Sequence, residues 1–370
     1  MQNAGDDAFF KILLDWLVNE FSVETVKVLG DHNHFPEVKT KIRVGGVPKE
    51  GKGGIRIRIT ELLLMVGNRF TVYGAGSLFQ RRDFLWLFLC LVIAKCWGWI
   101  TLRPKKIVAI GVSLGPFHSG WDRFWCSLAF QLFDLVVLRD KSDERLAFGL
   151  RDYQLLHGND LALTLQSPSL SKNERPNDNN TAKNLGFAIV DRDRRHGRPE
   201  IDNKKRLALL NFFEEKNSVG EIASVTGFVF CNHQNQGDIE ATTQLINELT
   251  DLGIPAKIYP YCNNTDTYLE AISELDLMVG NRMHSFIFAL ICGTPAIAIA
   301  YEPKITEFAQ NCELPDELVV PLKELSPERL HQASKYALSA EASRQVRSAV
   351  TTNKELQIGV LKKAAQLLRR

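Results

Sequence analysis

The seven cysteines contain no C-x-x-C pair and are odd in number. A structural zinc site and a disulfide framework are therefore both excluded as expectations, and free thiols in a reducing compartment are expected. An excess of one charge is also missing. Forty-five Lys and Arg against 43 Asp and Glu leave a formal +2, too little to point to nucleic acid as a partner. The first residues are polar and acidic, which is not the basic-then-apolar opening of a secretory signal, so a cytoplasmic protein is expected. A membrane span needs roughly 20 predominantly apolar residues. The most hydrophobic stretch, Phe84 to Leu102, carries Lys95 and Gly98 inside it, with charges at Arg81-Arg82-Asp83 and Arg103 to Lys106 on its flanks. A buried helix is the expectation there. Its tryptophans and flanking arginines also suit peripheral contact with a bilayer, at the inner face of the membrane for a cytoplasmic protein.

What is present is an alternation of apolar strand and helix signals over 370 residues, 45% of them hydrophobic. Ala8 to Phe21 reads as an amphipathic helix, Phe70 to Tyr73 as a strand running into Gly74-Ala75-Gly76-Ser77, and Ile107 to Val112 and Leu135 to Leu138 as buried strands. The Gly-x-Gly turn lets backbone approach a ligand closely, which makes Gly76 and Ser77 candidate binding residues, but a third glycine is lacking and it is no dinucleotide fingerprint. Residues 31 to 58, with glycines 45, 46, 51, 53 and 54, read as a flexible surface loop. His32 and His34, without carboxylate or cysteine partners nearby, read as part of a polar loop and not as a metal site.

From Gln166 to Asn184 the composition turns to Ser, Pro, Asn and Lys, a linker signature. Strand and helix signals then resume. The expected organisation is a first Rossmann-like domain over 1–170, a linker over 171–184, a second Rossmann-like domain over 185–325, and terminal helices over 326–370 that pack back on the first. This is an α/β protein of parallel, doubly wound sheets.

The chemistry concentrates in Asp276 to Lys304, DLMVGNRMHSFIFALICGTPAIAIAYEPK. A short strand ends at Gly280-Asn281, Arg282-Met283-His284-Ser285 follow, an apolar helix stops at Gly293, and a second strand, Ala296 to Ala300, leads to Tyr301-Glu302-Pro303-Lys304. Ligands of open parallel sheets sit beyond the carboxyl ends of strands, where helix N-termini favour anions. Arg282, His284 and Lys304 together there fit a phosphate or carboxylate. Arg139 is another cation at a strand end. Asp160 is a carboxylate on an apolar stretch, and His233 lies in the polar loop that follows the strand Val225 to Cys231. Against these stand plainer roles: a structural ion pair for Arg282, a cap for His284, a surface pair with Asp140 or Asp143 for Arg139, and solvated turn chemistry for the His233 loop.

The stretch GNRMHSFIFALICGTPAIAIAYEPK closely resembles the signature of the polysaccharide pyruvyl transferase family: Arg-x-His before an apolar helix, a Gly-x-Pro turn and Tyr-x-Pro-Lys. Asn3-Ala4-Gly5-Asp6-Asp7-Ala8, Gly74 to Phe79, Gly111 to Pro116, Val137 to Ser142 and Asp160 to Leu163 agree in order. The family usually places an apolar strand before the Asn-x-Gly-Asp-Asp turn; Met1 and Gln2 leave no room for one, which puts the usual role of that loop in question. The resemblance implies two Rossmann-like domains facing across a cleft, a GT-B-like architecture. It implies transfer of the three-carbon unit of phosphoenolpyruvate to two hydroxyls of a saccharide or lipid-linked oligosaccharide, giving a pyruvate ketal in polysaccharide biosynthesis and releasing phosphate.

On that basis Arg282 and Arg139 are expected to hold the donor's anionic groups with Lys304 in support. His284 is the candidate acid, and His233 or Asp160 the group that handles the acceptor hydroxyl. Asp7, Gly76, Ser77, Asn281, Ser285, Tyr301 and Glu302 are candidates for substrate contact. No cofactor and no metal are expected, phosphoenolpyruvate being the donor substrate. A nucleotide-sugar glycosyltransferase of the same architecture, or a noncatalytic sugar-binding relative, are the alternatives.

Overall fold

In the computed structural model the described residues are 2–29, 35–36, 43–47, 54–74, 76–79, 84–114, 117, 119–140, 154–168, 182–191, 193, 197–233 and 237–369. They form two compact units. The first comprises Phe9–Thr164 and Lys354–Arg370, and the second Gln2–Ala8 and Leu165–Asn353.

The first unit is built on a five-stranded sheet. Strand β3 (Phe70–Tyr73) pairs with β5 (Lys106–Leu114), β5 with β6 (Leu135–Leu138), and β6 with β7 (Leu155–His157), while β4 (Gly76–Phe79) also pairs with β5; every pairing is parallel. Strand β5 does not keep a strict alternation. Gly111 has φ +67° and the register with β6 shifts between Ile110 and Val112, so Ile107, Ala109, Val112 and Leu114 all turn into one core. An extra residue in one strand does this, because it resets the period of two. Three helices supply the other side of that core: α2 (Gly54–Gly67) through Met65, α3 (Phe84–Ile100) through Phe84, Leu87, Leu91 and Ala94, and α4 (Gly120–Phe130) through Cys126 and Ala129. The opposite face of the sheet is covered as well, Val108, Ile110, Leu135 and Val137 being fully buried. Helix α1 (Ala4–Phe21) and the end of α11 (Ala340–Arg369) meet in this unit, where Trp16 Nε1 donates to the carbonyl of Leu361 at 3.1 Å.

Two expectations change here. Residues 43–47, expected to be loop, form strand β2, which pairs in parallel with β1 (Thr25–Leu29), and Gly54–Gly67 form α2. Gly45 and Gly46 are strand residues whose partners are Lys27 and Val28. Gly76, expected in a turn, opens β4 opposite Val112. His32 and His34 lie outside the described residues, as do 171–181 of the expected linker.

The second unit contains a six-stranded parallel sheet in the order β10 (Ala256–Tyr259), β9 (Ile222–Phe228), β8 (Lys183–Ala188), β11 (Leu277–Gly280), β12 (Ala296–Ala300), β13 (Val319–Pro321). Counted from β8 as first, that order is 3-2-1-4-5-6, the Rossmann arrangement, and the direction of winding reverses between β8 and β11. Helices α5 (Pro199–Ser218), α6 (Ile239–Asp251), α7 (Thr265–Ser273) and α8 (Met283–Cys292) connect successive strands. Helix α9 (Pro303–Asn311) lies between β12 and β13, and α10 (Pro327–Ala337) follows. Helix α8 stops at Gly293, which sits at φ 70° where a side chain would be strained.

Candidate functional site

The strand ends at the winding reversal are tied together by one side chain. The backbone N–H of Asn281 donates to the carbonyl of Ala188 at 3.0 Å, and Asn281 Oδ1 accepts from Val190 N–H at 2.8 Å. Asn281 is 1% exposed, and its Nδ2 is a buried donor with no hydrogen-bond partner. The next residue, Arg282, caps the N-terminus of α8 by position and makes no side-chain cap.

Its guanidinium turns instead to Asp238, the residue before α6. Arg282 Nε lies 3.0 Å from both Asp238 carboxylate oxygens, and Arg282 Nη2 also meets Asp238 Oδ1. Asp238 is 0% exposed and accepts in addition from Cys231 N–H at 3.0 Å. Burial opposes the charge on Arg282, but the adjacent carboxylate outweighs it and holds the guanidinium above its usual range. The plainer ion-pair role is thus realised. The geometry holds the half-buried Arg282 in one orientation as a permanently charged group.

Every residue of α8 is buried except His284. The imidazole is the one side chain of that helix that is not fully buried, although its Nε2 is covered, and it lies at the end whose backbone dipole favours anions. Against it lies the N-terminal segment. Residues 2–4 extend the sheet beyond β9: Ala4 N–H donates to Phe230 O at 2.9 Å, Asn232 N–H donates to Gln2 O at 2.9 Å, and Asn3 bridges Cys231 antiparallel. Asn3 Oδ1 then accepts from Gly5 N–H at 3.0 Å and so caps α1. Gly5 backbone is pressed on the imidazole; a Cβ there would fall 2.1 Å from His284 Nδ1.

Asp7, one turn into α1, is 1% exposed. Its Oδ2 accepts from Tyr261 Oη at 2.7 Å, while its Oδ1 is buried without a hydrogen-bond partner. Burial pushes the carboxyl up to about 7, the Tyr261 hydrogen bond working the other way and Asp6 adding to the rise. Tyr261 is itself raised by burial and by Asp7. Three residues of the Asn-x-Gly-Asp-Asp motif thus have a physical account: Asn3 is a cap, Gly5 leaves space for the His284 ring, and Asp7 is a protonatable carboxyl.

Asn281, Arg282, His284 and Asp7 are thus expected residues that the second unit gathers near the winding reversal. Tyr261 is a participant the sequence reading did not single out, and Asp238 and Gly5 entered it only as members of the His233 loop and of the Asn3–Ala8 segment. Asp238 had a signal available, an acid just before a helix that follows a strand; Tyr261, two residues past β10, had none. Ser285 is fully buried, its Oγ donating back to Arg282 O at 2.7 Å. Tyr301 takes the Lys205 ammonium over its ring at 5.0 Å. Glu302 caps α9 by position and pairs with Lys304 at 2.6 Å. His233 is exposed past the end of β9. In the first unit Arg139 Nη1 stands 3.3 Å from Asp160 and Arg139 Nε 3.5 Å from Asp140, all buried, and Asp160 Oδ1 accepts from Ala162 N–H at 2.9 Å. Gly76 and Ser77 open β4. Among the described residues no group of His, Cys, Asp and Glu could hold a metal ion, and no helix is long and apolar enough to cross a membrane.

Parallel sheets on both units, the second in Rossmann order, with cations and an imidazole at the strand ends, define an α/β protein of the GT-B-like class. Solved structures share that fold. Anabaena HepE, in complex with UDP and glucose, aligns over 98% of this chain and 95% of its own with 13% identity and a TM-score of 0.59. The UDP-GlcNAc 2-epimerase of Neisseria meningitidis, bound to UDP-GlcNAc, aligns over 99% and 97% with 11% identity and a TM-score of 0.58. That of Methanocaldococcus jannaschii aligns over 92% and 95% with 12% identity and a TM-score of 0.56. No curated protein matches the chain in sequence. The model of one family, polysaccharide pyruvyl transferase, matches residues 3–303, and the chain belongs to that family.

Proposed function

We propose that the protein transfers the pyruvyl unit of phosphoenolpyruvate to two hydroxyls of a saccharide, or of a lipid-linked oligosaccharide, in the cytoplasm. The observation that carries this reading is the grouping of Arg282, held by Asp238, with His284 and the Asn3–Asp7 segment at the strand ends of the second unit. The donor bears a phosphate and a carboxylate, so it needs fixed cations. Arg282 supplies one, with Lys304 in support. In the first unit Arg139 is held by Asp160 and Asp140.

In the reaction the donor's methylene carbon takes a proton and its C2 accepts the first hydroxyl oxygen. The second hydroxyl oxygen then replaces phosphate, whose C–O bond breaks. Of the two hydroxyl protons, one balances the proton placed on carbon and the other leaves with phosphate. His284 donates to the methylene, since an imidazole exchanges protons near neutral pH. Asp7, with its carboxyl near 7, receives the proton of the attacking hydroxyl. His233 binds an acceptor hydroxyl. No cofactor takes part.

The test is phosphate release from phosphoenolpyruvate with a panel of galactose, mannose, glucose and N-acetylhexosamine acceptors. Activity is expected with one of them and is expected to vanish in Arg282→Ala and in His284→Ala. Retained turnover in both variants rejects the assignment. Thermal stabilisation by UDP or a UDP-sugar, and not by phosphoenolpyruvate, would favour a glycosyltransferase instead.

A further inference from the structure

The outward side of α3 lacks what the surface of a water-facing helix carries. Its exposed residues are Leu85, Leu89, Ile93, Cys96, Trp97, Trp99 and Ile100, and none is charged. At 3.6 residues per turn these fall on one continuous arc. Trp99 is 88% exposed, and Leu102, just past the helix, 90%. The neighbouring helices continue the surface. Helix α2 exposes Ile59 and Leu63, and α4 exposes Trp121 and Phe124. Trp121 joins α3 through rings, stacking edge-on against Trp125 at 5.6 Å, which in turn lies 5.3 Å from Phe88. A contiguous apolar face of this kind on a folded unit marks an interaction surface.

Charge identifies the occupant. Residues 54–130, which contain all three helices, hold ten Lys and Arg against three Asp and Glu, a formal +7 in a chain of net +2. Glu61 accepts from Tyr73 Oη at 2.8 Å and Asp122 from Ser119 Oγ at 2.8 Å, while Lys95 pairs with Asp134 and Lys105 is buried, so the exposed charge of the described residues here is carried by arginine. Arg69, Arg103 and Arg123 are exposed around the apolar face. Exposed tryptophan and leucine together with exposed arginines on the same helices and their flanks suit the boundary between acyl chains and acidic headgroups. A second copy of the same basic face would set like charges against each other.

We propose that the outer face of α2, α3 and α4 docks this protein on the surface of a phospholipid bilayer with anionic headgroups, without spanning it. The proposal rests on this surface alone and not on the identity of the donor.

The experiment is flotation of the full chain with vesicles of phosphatidylcholine containing about one third phosphatidylglycerol, beside pure phosphatidylcholine vesicles, at low and high salt. Binding to the anionic vesicles is expected, weaker at high salt because the arginine contribution is screened. A blue shift of tryptophan emission is expected with it. Trp99→Glu combined with Ile100→Glu should lower vesicle binding at least tenfold while leaving the thermal unfolding midpoint and phosphate release with a water-soluble acceptor unchanged. Arg103→Glu with Arg123→Glu should remove the preference for anionic lipid. Absence of vesicle binding by the unaltered chain overturns the proposal. So does a concentration-dependent dimer in sedimentation that the Trp99→Glu, Ile100→Glu pair abolishes, since the face would then be covered by a second copy.

Discussion

Arg282 Nε lies 3.0 Å from both carboxylate oxygens of Asp238, 44 residues earlier in the chain. The pair fixes the one cation at the winding reversal whose direction the catalytic proposal depends on. Removing one partner of a buried pair costs roughly 3–5 kcal/mol. Arg282 retains 19% side-chain exposure, so the lower end applies. Asp238→Ala is expected to destabilise the protein by about 3 kcal/mol in urea unfolding and to raise the donor KM more than it lowers kcat. A variant with unaltered KM and stability contradicts the pairing.

Gly5 carries no side chain because the His284 ring occupies that space. Gly5→Ala must displace the imidazole or the N-terminal segment. Misplacement of a catalytic group by about 1 Å can cost roughly 100-fold in rate. A fall in kcat of that order is expected, together with a lowered unfolding midpoint because a packed ring or a sheet-bound segment must give way, measured by initial rates and circular dichroism. Full activity in Gly5→Ala shows that the ring need not sit where it does.

Asp7 makes stability depend on pH. Its folded value near 7 lies above the ordinary 3.8, because burial disfavours the carboxylate. The folded state therefore holds more protons than the unfolded state between those values. Stability is fully present below about 4 and is lost as pH rises through 7, by on the order of 4 kcal/mol. Asp7→Asn keeps an acceptor for Tyr261 and cannot ionise. It is expected to flatten this dependence, to be the more stable protein at pH 8 and to lose turnover. Thermal melts at pH 5 and 8 check the first statement; parallel curves for the two proteins would refute it.

In the first unit Asp160 lies beside the buried guanidinium of Arg139 and also accepts the N–H of Ala162. Asp160→Ala leaves Arg139 with Asp140 at 3.5 Å. A loss of about 3 kcal/mol is expected in equilibrium unfolding. A stable Asp160→Ala protein with abolished turnover would assign the carboxylate to the reaction instead of to Arg139.

Much of the fold was legible because local order follows from local chemistry. Phe70–Tyr73, Leu135–Leu138 and Ala296–Ala300 are short, largely apolar runs bounded by turn residues, and all three are strands with those limits. The Arg282–His284 pattern was legible for the same reason, since a strand end, a polar step and an apolar helix succeed one another within a few residues. Strand β2 and helix α2 were not, because glycines at 45 and 46 and the alternating isoleucines at 55, 57 and 59 argue locally for something other than what forms.

By itself, then, the sequence determined most of the helices and strands, β2 and α2 excepted, the α/β class, and where cations gather past strand ends. These depend on side-chain spacing along the chain. Only the tertiary structure decided that β8 lies between β9 and β11, that residues 2–4 extend the sheet beyond β9 and bring Gly5 onto His284, that Asp238 aims Arg282, and that Asp7 is buried beside Tyr261. Each of these joins residues far apart in the chain, and such contacts are chosen by the packing of whole faces, which no local periodicity encodes.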